Sequence, residues 1–159
     1  MNGKILEETL ATLNDMIKLE LRMAKLYEAC AIAFPAENDF FSSIGAMEIK
    51  HSQNIIRMIK LVSDNPDKFQ VGRRINSIVL KNFITDIEGT IRKIESNVIN
   101  FPQILFFAQT YEDSIIEKKY NEFLVTGSAE YASLNREIVQ DTIAHAAAIS
   151  KKLADIGKQ

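Results

Sequence analysis

The chain has 159 residues, 47% of them hydrophobic and 25% charged, with a formal net charge of -2 at neutral pH. That is enough for the core of one domain spanning 1–159, with the balance of a globular protein rather than a disordered one. Such a charge gives no electrostatic footprint for nucleic acid, since Arg73-Arg74 reads as a solvated loop, and no apolar run has the length of a membrane span.

Apolar residues three and four apart recur over long stretches, and only three prolines and six glycines interrupt them, so the expected fold class is all-α. A first helix is predicted over 5–33 and is closed by Phe34-Pro35. Asn38-Asp39 can cap a second over 39–63, which Ser63-Asp64-Asn65-Pro66 ends. Residues 64–100 are too long for a simple turn. They read as a crossover with loop chemistry to Asn76 and an additional amphipathic helix near 79–98. Pro102 suits the first turn of a third bundle helix reaching about Val125, Thr126-Gly127-Ser128 makes a turn, and a fourth runs to about Ile156. Two antiparallel helical hairpins joined by a long crossover is the connectivity of ferritin-like four-helix bundles. The single cysteine, Cys30, allows neither an intrachain disulfide nor a Cys-x-x-Cys metal site. MNGKILEETL lacks the pattern of a secretory signal, so the cytoplasm is the expected compartment.

Polar residues interrupt the inward seams at a few places only. The first helix reads Leu13, Ile17, Glu20, Ala24, Tyr27, and the second reads Ile44, Glu48, His51, Ile55. On the third, Glu112 stands between Ala108 and Ile116, and on the fourth Asp141 and His145 stand between Ile138 and Ile149. Heights along the helices agree. Glu20, Glu48 and His51 lie about 12–16 residues below the first hairpin turn, and Glu112, Asp141 and His145 about 14–18 from the second. Buried carboxylates are costly unless neutralised, and no Lys or Arg interrupts these seams nearby except Lys119, so a divalent metal is the economical counter-charge. Carboxylate and imidazole donors suit iron, manganese or zinc. Tyr120, Glu28, Glu117, Lys118 and Glu122 are read as ordinary core or solvated-face residues.

Glu20 with Tyr27, the pair Glu48-x-x-His51, and Glu112 resemble the ligand pattern of the ferritin-like di-iron carboxylate superfamily, above all the short relatives of rubrerythrin that lack a rubredoxin domain. The resemblance covers nearly the whole chain. It implies metal ligation by Glu20, Glu48, His51, Glu112 and His145, with Asp141 as a candidate sixth ligand and Tyr27 and Thr142 as outer partners. Two iron ions are the implied cofactor, with manganese, zinc or a single metal as alternatives. The implied activity is oxidoreductase chemistry on peroxide or dioxygen, with an external electron donor and a homodimer as partners. The fourth helix departs from the pattern, because Thr142 stands three before His145 where the family has Glu. Three carboxylates leave two divalent ions short of neutrality. That departure supports the alternative of a non-catalytic, single-metal binding or sensory module.

Overall fold

The computed structural model describes residues 1–114 and 120–157. Helix α1 (Gly3–Ala33) begins where the Asn2 side chain accepts a hydrogen bond from Ile5 N–H, satisfying one of the donors a helix start leaves bare. It ends ahead of Pro35, and a single 3-10 turn, Pro35–Glu37, reverses the chain into α2 (Asn38–Asp64). The two helices run antiparallel along their length: the N-terminal ammonium binds Asp67 at 2.9 Å at one end, and Tyr27 stacks on Phe41 at the other. Gly45 lets them approach, since a Cβ there would lie 3.3 Å from Tyr27 Cβ.

The crossover contains the additional helix expected of it. Helix α3 (Ser77–Glu95), capped by the Asn76 side chain, lays Leu80, Ile87, Thr90 and Ile94 against the rest of the molecule and packs on α1. Helix α4 (Phe101–Glu112) starts with a reciprocal capping box between Asn100 and Gln103, with Pro102 in its first turn. A short helix α5 (Tyr120–Phe123) opens the second described stretch, and α6 (Ala129–Ile156) is capped by Ser128, whose Oγ accepts from Tyr131 N–H. Helix α6 packs on both α2 and α4.

The architecture is mostly helical, but two predicted segments differ. Helix α4 ends at Glu112, where Asp113 N–H closes the last turn on Gln109, so helix does not extend to Val125; the expectation for 115–119, including Ile116 and Lys119, lies outside the described residues. Strands β1 (Phe69–Val71) and β2 (Leu124–Thr126) form an antiparallel ribbon pairing Phe69 with Thr126 and Val71 with Leu124. The ribbon buries Phe69 and Leu124 and leaves Gln70 and Val125 outside, the alternation that stabilises a strand with one covered face. Gly72 follows β1 because a Cβ there would overlap the carbonyl oxygen of Glu122. Thr126 is thus the end of a strand rather than part of a free turn.

The core is built from apolar residues of every long helix, including Leu13, Leu19, Tyr27, Phe41, Ile55, Leu105 and Ile138. Glu20, Glu48, His51, Glu112, Thr142 and His145 are buried with them. No helix among the described residues is long and apolar enough to cross a membrane.

Candidate metal centre

Four helices each contribute a side chain at one depth in this core. Glu20 lies in the middle of α1, and Glu48 and His51 are three apart on the inner face of α2. Glu112 is the last residue of α4, and His145 lies on α6. Glu20, Glu48, His51 and Glu112 are at most 1% exposed and His145 is 7% exposed. Helical periodicity puts them there: each sits in register with the apolar residues before and after it on the buried stripe.

The donor atoms converge in two overlapping sets. Nδ1 of His51 lies 3.3 Å from Oε2 of Glu20 and 3.3 Å from Oε2 of Glu48. Nδ1 of His145 lies 2.9 Å from Oε1 of Glu48 and 3.7 Å from Oε1 of Glu112. Glu48 therefore turns one oxygen to each histidine and belongs to both sets, within each of which the donor atoms lie no more than 4.8 Å apart. The two imidazoles lie nearly face to face, with centroids 5.9 Å apart and planes inclined by 27°. The two heights expected from the sequence are thus one continuous cluster.

Three further residues complete the surroundings. The Tyr27 hydroxyl donates a short hydrogen bond to Oε1 of Glu112. Asp141 places Oδ2 3.3 Å from Nε2 of His51, the ring nitrogen turned away from Glu20 and Glu48, and stands outside both donor sets. Thr142 is buried, but its hydroxyl donates to the Ile138 carbonyl of its own helix at 2.9 Å and adds no donor to the cluster. The proximity of Asp141 to His51 is what residue height on the fourth helix alone did not indicate. The usable signal was the antiparallel run of α2 and α6. Three residues forward from Glu48 on α2 are matched by about one turn back from His145 on α6.

Burial and mutual contact set the protonation of the metal-free cluster. Burial pushes Glu20 up to about 8, reinforced by the negative charge of Glu48. Glu48 is held down at about 2 because, against its burial, His145 and His51 both favour its ionised form. Burial disfavours charge on the imidazoles as well, but Glu20 and Glu48 outweigh it at His51, which rises to about 11, and Glu112 and Glu48 at His145, which rises to about 9. Glu112 is raised by burial and by the Glu48 charge. Near neutrality the cluster therefore holds protons in place of a cation.

Protons do not satisfy every group. Glu20 Oε1, Glu48 Oε1, Glu112 Oε2 and His145 Nδ1 are buried without a hydrogen bond. Glu48 Oε1 and His145 Nδ1 stand 2.9 Å apart, yet neither makes a hydrogen bond. No Lys or Arg among the described residues pairs with any of the five; Lys50, the nearest along α2, is committed to Glu137. Orphaned carboxylate oxygens and an orphaned imidazole nitrogen fit a hard or borderline divalent cation. Compared with protein-family models, with curated proteins and with solved structures, the chain matches none.

Proposed function

We propose that this chain is a ferritin-like four-helix carboxylate protein that holds two metal ions, iron foremost, and reduces peroxide or dioxygen with electrons from an external donor. The observation that carries this reading is Glu48, shared between a Glu20–His51 pair and a Glu112–His145 pair at the centre of the fold. The antiparallel α1–α2 pair, the α4–α6 pair and the α3 crossover between them support the ferritin-like assignment.

In this reading Glu20 and His51 would hold one ion and Glu112 and His145 the other, with Glu48 belonging to both donor sets. Bound iron supplies reversible electron transfer and Lewis acidity toward oxygen ligands. The chain does the rest. Asp141 would accept a hydrogen bond from Nε2–H of His51, the tautomer that leaves Nδ1 to ligate. Tyr27 orients Glu112 through its hydroxyl and leaves the other oxygen of that carboxylate for a cation. Near-total burial of the ligands keeps them out of contact with bulk solvent. Cytoplasmic location and a homodimer belong to the same proposal; the exposed Leu21, Ile32 and Ile49 on α1 and α2 favour a self-associating face.

A second reading, a single-metal binding or sensory module without turnover, is favoured by Thr142. Its hydroxyl is spent on Ile138, so three carboxylates face two divalent ions and one positive charge remains over. Elemental analysis of protein loaded with ferrous iron, followed by peroxide addition under an absorbance monitor, separates the readings. About two irons per chain and a peroxide-dependent change in colour support the oxidoreductase. One bound metal without a response to peroxide supports the module, and a chain that binds no metal overturns both.

A further inference from the structure

The outer face of α1 carries four exposed residues in one stripe, Leu21, Lys25, Glu28 and Ile32. Their steps of four, three and four keep them in line along the helix for about 17 Å. Leu21 is 44% and Ile32 73% exposed, and Ile49 of α2, on the same side of the molecule, is 46% exposed. Beside the stripe runs a groove of about 850 Å³, lined between the two helices by the small residues Ala24, Ala31, Gly45 and Ala46. One face thus presents protruding aliphatic side chains and a recess of small ones side by side.

The stripe runs apolar, basic, acidic, apolar, with the same spacing read from either end. A second copy of the chain, turned through 180° about an axis passing between Lys25 and Glu28, lays its α1 antiparallel on this one. Leu21 then faces Ile32 of the second copy and Lys25 faces its Glu28, and each pairing occurs twice. Within one chain Lys25 and Glu28 bind each other at 2.9 Å, with side chains 62% and 60% exposed. So exposed a pair stabilises little, and exchanging it for two pairs between chains leaves every charge matched. The other cations along this edge of α1 are already neutralised, Lys18 by Asp15 at 2.7 Å and Arg22 by Glu88 at 2.8 Å, so no excess of positive charge opposes the approach.

We infer that this face binds a second copy of the same chain in that one antiparallel register, with Leu21 and Ile32 of each copy entering the groove of the other. A two-fold contact requires a surface complementary to itself, and a palindromic stripe beside a recess is such a surface. A different partner would need no palindrome. The inference rests on the homodimer of the function proposed above and gives that dimer its contact; it shares no residue with the metal cluster.

The test follows the full chain by sedimentation equilibrium. A mass approaching twice 18.0 kDa is expected, with a dissociation constant below about 10 μM. Lys25→Glu and Glu28→Lys each set like charges against each other across the contact and should raise that constant at least about tenfold. Mixing the two variants should restore the dimer as a heterodimer, because each supplies the charge the other lacks. Leu21→Cys mixed with Ile32→Cys should form a disulfide between chains on mild oxidation, and neither alone should, since like positions lie about 17 Å apart in this register. The native Cys30 is buried and stays out of that reaction. A chain monomeric at about 100 μM, a dimer indifferent to both charge variants, or no recovery on mixing would overturn the proposal. Metal content of the same samples is read separately: a metal-loaded monomer refutes the contact alone, and a dimer that binds no metal refutes the metal centre alone.

Discussion

Glu48→Gln is the substitution from which the arrangement predicts most. The amide keeps the size of the side chain and removes the charge that Glu48 presents to His51 at 3.3 Å and to His145 at 2.9 Å. In the metal-free protein near pH 7 Glu48 is ionised, while Glu20, raised to about 8, is mostly protonated. Removing the ionised partner of buried imidazolium groups costs about 3–5 kcal/mol. For a chain of this size that lowers the midpoint of thermal unfolding by roughly 6–20 °C. Glu20→Gln replaces a group that is mostly protonated near pH 7 and should cost less than Glu48→Gln. Metal binding should show a different contrast. Glu48→Gln damages both donor sets, whereas Glu20→Gln leaves the Glu48–Glu112–His145 set whole. Melting curves with chelator, and metal content after reconstitution, read the two contrasts separately. Equal destabilisation by the two substitutions, or full metal content in Glu48→Gln, would refute the reasoning.

Two further outcomes follow from the same geometry. The imidazole pKa values are raised by folding, so the stability they contribute is complete below about 6.5 and is lost as pH rises through about 9 for His145 and about 11 for His51. Glu20, also raised, loses its contribution between about 4.5 and about 8, whereas Glu48, lowered, contributes above about 4.5 and loses it as pH falls toward about 2. Chelated protein should therefore become less stable from mildly acidic to alkaline pH, and metal-loaded protein should not, so the gap between their melting curves widens with pH. Tyr27→Phe leaves the packing on Phe41 but removes the donor to Glu112, and should cost about 1–3 kcal/mol. It should also weaken one metal of the pair by about 10–100-fold, measurable in competition with a chromogenic chelator, and leave the Glu20–Glu48–His51 set unchanged.

Much of this was legible in the sequence, for an identifiable reason. Long helices repeat their signal over seven or eight turns, so the bounds of α1, α2 and α6 lie within two residues of those the periodicity predicts. The same repetition put Glu20, Glu48, His51, Glu112 and His145 on inner faces, and the structure brings all five together. The ribbon was not legible. Three residues are too few for alternation to stand out, and what makes Phe69–Val71 extended is a partner more than fifty positions away. The place of Asp141 was missed for a related reason. Height along one helix cannot say which ring nitrogen of a histidine on another helix a carboxylate will meet.

The ribbon has a bearing on the centre it does not touch. By joining Val71 to Leu124 it closes residues 72–123, the stretch that carries α3, α4 and Glu112, into a ring anchored beside the end of α2 and the start of α6. Helix α4 is then tethered at both ends. Most of the entropy of bringing Glu112 to Glu48 and His145 is spent when the chain folds rather than when a cation arrives. The ring acts as a clasp that holds an open hand in the grip it will need.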